Sequence, residues 1–172
     1  MNIHPILVHF PIALLTIYAF MEIVQYKKIK NTNYWFNTKA TLVIIGTIFA
    51  YLALSTGELG ISSLDRSLLP LVNLHQFIAT ATTYIFSFIS LVYLFSLINK
   101  TELNLKITKF VPKKWWIKII NFSNYILSKN IIMITLAVLG LIFITVTGSL
   151  GGAIVYGPNV DPVVNFIYHL FF

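Results

Sequence analysis

Four stretches of this chain carry no acidic or basic side chain apart from histidine: Pro5–Met21, Ala40–Gly57, Leu74–Asn99 and Asn130–Pro158. Each reaches or approaches the roughly 20 apolar residues that a helix rising 1.5 Å per residue needs to cross a bilayer. Composition agrees, since 58% of the residues are hydrophobic and 10% charged, against roughly 25% charged in soluble domains. The expected architecture is an all-α membrane protein. One domain over 1–172 holds four transmembrane helices at about 5–26, 39–59, 71–99 and 130–156.

The net charge of +7 is confined to the connections. Lys27, Lys28, Lys30 and Lys39 lie between spans one and two, and the other seven lysines between spans three and four. Lysines beside spans set orientation and meet anionic headgroups, so the basic balance points to the lipid bilayer as partner and not to nucleic acid. The expected location is a bacterial inner membrane with both termini outside. The first positive charge follows the first span, unlike a signal peptide, so the N-terminus is expected to be retained. Glu22 is expected to pair locally with Lys27 and Lys28.

The connection FVPKKWWIKIINFSNYILSK places Lys114, Lys118, Asn121, Asn124 and Ser128 at helical spacing. It reads as an amphipathic helix over about 111–129 on the inner surface, with Trp115 and Trp116 as interfacial anchors. Asp161-Pro162 is a helix-start signal, and the helix it opens, about 162–171, is too short to cross and belongs on the outer surface. Small residues Gly46, Ala50, Ala53 and Gly57 in span two and Gly148 and Gly152 in span four mark helix contacts. Gln76, Thr80, Thr83, Ser87 and Ser90 form a polar stripe on span three.

The two helical hairpins resemble each other. PILVH opens span one and PLVNLH span three; STGELG closes span two and VTGSLGG span four. This register pairs His9 with His75 and Gly57 with Gly148. From His9 to Gly57 is 48 residues and from His75 to Gly148 is 73; the excess of 25 matches the extra interfacial segment. Such hairpins are related by an axis along the membrane normal. Pro5 suits a first helical turn, whereas Pro11, inside the helix, frees the carbonyl of Leu7 and bends the chain beside His9.

His9 and His75 then lie level on separate helices, and an ionisable group inside a bundle is a functional hypothesis. Two imidazoles ligate b-type haem iron, with Gly57, Gly148 and Gly152 letting backbone approach the macrocycle. The same pair could line a quinone pocket, or each could simply hydrogen-bond a neighbour, with Glu58 as one partner for His75. His4 and His169 are secondary ligand candidates. The chain has no cysteine, which excludes c-type attachment and thiolate ligation within it, and its three methionines are scattered, unlike a copper site. No residue is assigned a catalytic role.

IHPILVHFPIALL, the TG exit of span two, the histidine opening span three, and TGSLGGAIVYG together resemble domain of unknown function 2231, a family of small bacterial membrane proteins. The matching positions are His4, His9, His75, Gly57, Gly148, Gly151 and Gly152. The family's glycine-valine continuation after GGxxVY is replaced here by GPNVDPVV and an aromatic tail. Relatives joined to cytochrome c or Rieske domains imply a place near respiratory electron transfer. The expectation is therefore an electron carrier and not a stand-alone catalyst, working with respiratory membrane subunits, an outer redox carrier or further copies of itself. The alternative is a cofactor-free structural or assembly subunit of a larger complex.

Overall fold

The structure, a computed structural model, describes residues 4–25, 29, 32–57 and 65–172. Helix α1 spans His4–Val24, α2 Asn33–Gly57, α3 Leu69–Asn99, α4 Leu103–Ile107, α5 Lys113–Ser128, α6 Asn130–Tyr156 and α7 Pro162–Phe171. Four of them, α1, α2, α3 and α6, are long and apolar enough to cross a membrane. Among the described residues there is no strand.

Local chemistry sets the ends. Pro5 and Pro70 fall in the first turns of α1 and α3, where a missing N–H costs nothing. Gln25, at φ 45°, ends α1 in the left-handed region and returns its side-chain amide to the Glu22 carbonyl. Gly157, at φ 88°, ends α6 in a conformation that a side chain would strain. Asp65 caps the short turn before α3 by accepting from the Ser67 N–H, which holds its carboxyl below the usual range. Asp161 does the same for α7, accepting from Val163 and Val164 N–H at 2.8 and 2.9 Å.

The four long helices form a ring in which α1 and α3 each pack on α2 and α6. Side chains of α1 and α3 meet in the middle: Leu15, Tyr18, Phe86 and Ile89 are fully buried, and the Tyr18 ring meets Phe86 and Tyr93 edge-on at 6.3 and 5.9 Å. Outward, Ile17, Phe20, Ile45, Ile48, Phe88, Leu91 and Ile142 stand exposed, an apolar belt suited to lipid. The expected polar stripe on α3 is divided. Thr83 and Ser90 are buried, whereas Thr80 is half-buried and returns its hydroxyl to the Gln76 carbonyl.

Helix-to-helix contact repeats with a constant interval. A Cβ on Gly46 would stand 2.6 Å from Leu15, and one on Gly140 would stand 2.6 Å from Phe86. Leu15 and Phe86 are separated by the same interval as His4 and His75, and Gly46 and Gly140 by the same interval as Gly57 and Gly151. The hairpins are therefore two copies of one unit, but the register is His4 with His75 and Gly57 with Gly151. Counting from the nearest proline had paired His9 with His75 and Gly57 with Gly148. Sequence carried a better signal in the tripeptides Asn2-Ile3-His4 and Asn73-Leu74-His75.

The amphipathic helix is α5, and it lies against α3. Trp116 is buried edge-on to Phe95 at 5.9 Å, and Ser96 donates to Asn124 at 3.2 Å. Only Trp115 of the two tryptophans is outward, with Lys118 over its ring. Trp116 is thus a packing residue and not a second interfacial anchor.

Candidate functional site

The end of the bundle where α1 and α3 begin holds a matched pair of histidines. His75 lies seven residues into α3, counting Leu69 as the first, and its Nδ1 donates to the Thr147 carbonyl of α6 at 3.0 Å. His4 is the first residue of α1; its ring donates to the Ala53 carbonyl of α2, with Nδ1 also 3.1 Å from the Thr56 hydroxyl oxygen. Thr56 Oγ1 bonds back to the carbonyls of Leu52 and Ala53, so its lone pair accepts from His4. Ala53 and Thr147 are equivalent positions of the repeat.

Glycine makes both contacts reachable. In an α-helix the Ala53 carbonyl already accepts from the Gly57 N–H, and the Thr147 carbonyl from the Gly151 N–H. An imidazole sharing that carbonyl must lie where the side chain one turn on would stand. A Cβ on Gly57 would be 3.2 Å from His4 Cε1, and one on Gly151 also 3.2 Å from His75 Cε1. Each glycine is therefore the floor on which its histidine rests.

The bond to a carbonyl settles the tautomer. A carbonyl only accepts, so Nδ1 of His75 carries the hydrogen and its Nε2 carries the lone pair. That is the posture of a metal-ligating histidine, whose other nitrogen is held by a carbonyl or carboxylate. No group of three or more His, Asp or Glu side chains gathers here or elsewhere among the described residues.

The remaining sequence candidates go elsewhere. His9 is exposed, its Nδ1 turned to the Pro5 carbonyl of its own helix at 2.5 Å, and His4 takes the place opposite His75. The reason is periodicity: His9 lies five residues past His4, well over one turn, and so points away from the face that meets α2. Gly148 borders neither histidine; a Cβ there would meet nothing within 4 Å. Gly152 instead receives α7, with Val164 Cγ2 3.3 Å from such a Cβ. His169 is on the exposed face of α7, beside Tyr168. Glu58 lies outside the described residues.

At the opposite end of the bundle stands a polar cluster around Glu22, whose described partner, Lys39, lies on the next helix. Glu22 is buried and ion-paired with Lys39 of α2 at 2.9 Å. Tyr93 of α3 donates to the same carboxylate at 2.8 Å and Tyr18 at 3.2 Å. The partner is thus a lysine on the next helix, with Lys27 and Lys28 outside the described residues. Lys39 sits one and a half turns into α2, where its long stem is buried and its ammonium meets the end of α1.

Residues 1–162 match the model of a family described as predicted membrane protein, domain of unknown function 2231, and the chain belongs to that family. No curated protein and no solved structure matches it.

Proposed function

We propose that this member of the family is a membrane electron carrier that holds b-type haem between His4 and His75. The observation that supports the reading is the duplicated support of the two rings. Equivalent histidines on opposite helices each bond through Nδ1 to the neighbouring helix, His75 to the Thr147 carbonyl and His4 to the Thr56 hydroxyl beside the Ala53 carbonyl, over equivalent glycines. Bundle cores build cofactor sites from side chains on facing helices in this way. Bound haem would be held by His4 and His75 and would supply one-electron redox chemistry.

The chain's own part is orientation and exclusion. The Thr147 carbonyl orients the His75 ring and leaves its Nε2 unprotonated, and hydrogen bonds of this kind raise the basicity of the nitrogen that ligates; Thr56 and the Ala53 carbonyl orient His4. Thr82, whose hydroxyl meets Thr147 at 3.0 Å, ties α3 to α6 two turns past His75. The buried Leu15, Tyr18 and Phe86 layer closes the bundle beneath the pair. In the cell such a carrier would pass single electrons between a membrane donor and a redox partner at the outer face, in the orientation set by the lysines.

Visible spectra of the purified protein, oxidised and then reduced, test the reading. The wild type, expressed with ample haem, should show a reduced α-band that His4→Ala and His75→Ala abolish or shift and His9→Ala leaves in place. A wild type without the band makes the protein a cofactor-free subunit instead. Orientation is tested separately: a cysteine at Ser67 should label from outside intact cells and one at Thr101 should not.

A further inference from the structure

The two copies of the repeat differ where α6 meets α1. There a groove of about 530 Å³, within the ordinary size of a ligand site, is lined by Ile12 and Thr16 of α1 and Thr145, Gly148 and Ser149 of α6, with α7 at its mouth. The equivalent place, where α2 meets α3, is bridged by a side chain. Position by position, Thr145 corresponds to Tyr51, Gly148 to Leu54, and Thr16 to Ser87. In that copy the Tyr51 phenol lies across the helix contact and its oxygen accepts from the Ser87 hydroxyl at 3.0 Å.

We propose that the groove between α1 and α6 binds the ring of a membrane quinol. One half of the protein covers its helix contact with a phenol bonded to a hydroxyl, and the other half keeps the hydroxyl and removes the phenol. Three details agree with an occupant. A Cβ on Gly148 would meet nothing within 4 Å, so the floor is open. Ser149, which lines the groove and is 93% buried, has no hydrogen-bond partner among the described residues, and neither does the half-buried Thr16. Thr145 and Thr147 beside them return their hydroxyls to their own helix, as hydroxyls in an apolar surrounding do. A hydroxyl without a partner in lipid is costly. A ring bearing two phenolic oxygens answers both Thr16 and Ser149, and its apolar tail leaves the groove among the lipid-facing side chains of α1 and α6.

The assignment concerns binding and stands apart from haem; its link to the proposed electron transfer is that it names the donor class. Binding of a decyl-tailed benzoquinol to the protein in nanodiscs, followed by tryptophan fluorescence, tests it. Thr145→Tyr, which restores to this half the residue the other half uses, should weaken binding at least tenfold while the protein stays folded and any haem band stays unchanged. Tyr51→Phe, on the bridged side, should leave binding as it is. The double variant His4→Ala with His75→Ala should lose haem and keep quinol binding. Unchanged binding in Thr145→Tyr overturns the assignment. So does equal competition by decanol, which would make the groove a seat for acyl chains, and so does the absence of saturable binding in the wild type.

Discussion

At one end of the bundle the two halves of the repeat meet through unlike groups, and at the other through like ones. Glu22 and Tyr93 are equivalent positions, and across the axis the phenol donates to the carboxylate at 2.8 Å. His4 and His75 are equivalent too, but they are like side chains, and each is bonded to the helix beside it, His4 to Thr56 of α2 and His75 to the Thr147 carbonyl of α6. The glutamate end closes by itself, with Lys39 and Tyr18 completing the carboxylate. In the proposed reading the histidine end is where a bound group joins the two halves. A duplicated hairpin becomes a lock where the copies have diverged into complementary residues, and a socket where they have stayed identical.

Removing half of the lock should produce the largest effect. Glu22→Ala leaves the Lys39 ammonium buried without its counter-ion, and breaking a buried pair from one side costs about 3–5 kcal/mol. Adding Lys39→Met removes the stranded charge and should recover most of that loss, since an apolar replacement of a whole buried pair is often neutral. Thermal unfolding in detergent measures both. Equal instability of the single and double variants would show that the ion pair is not what the lock depends on. His4→Ala, at the socket, should cost far less stability, because the ring is half-buried at the first residue of its helix.

Next in size is the contact the halves share unchanged. Gly46→Leu drives a side chain into Leu15, and Gly140→Leu into the Phe86 ring; overpacking of this kind costs about 1–3 kcal/mol. Both should destabilise, and Gly140→Leu the more, because an aromatic ring in a filled core has fewer places to move than a leucine. A Gly46→Leu variant as stable as the wild type would mean that the α1 and α2 contact is looser than its copy, and the repeat less exact than its intervals.

Much of this was legible in the sequence. Uncharged runs located all four long helices, and spacing of polar residues located α5, because lipid and interface select composition over whole helical faces. Asp161-Pro162 located α7 to the residue. What sequence misplaced were choices that depend on a single turn. His9 looked like the partner of His75 because both follow a proline at similar distance, yet helical phase turns His9 outward and brings His4 in. Gly148 and Gly151 look alike in GSLGG, and only contact tells that one floors a groove and the other floors a histidine. Glu22 had nearer lysines in sequence than the one it meets, since a pairing across helices leaves no local pattern.

The smallest expected effect on stability separates the two histidines most finely. Gly57→Ala and Gly151→Ala each set a methyl 3.2 Å from an imidazole carbon, a gap that closes only if the ring gives way by a few tenths of an ångström. Alanine also favours a helix interior over glycine by up to about 1 kcal/mol, which offsets part of the crowding, so unfolding temperatures should move little. The rings should respond differently. His4 is the first residue of α1 and its backbone can yield, whereas His75 is held by a full turn of helix on either side. Gly151→Ala should therefore displace His75 from the Thr147 carbonyl, and Gly57→Ala should leave the His4 bond largely in place. The ¹⁵N resonances of the imidazoles report this directly, because Nδ1 shifts when its hydrogen bond lengthens. A larger shift at His4 than at His75 would reverse the ranking and make the α1 side the more rigid half of the socket.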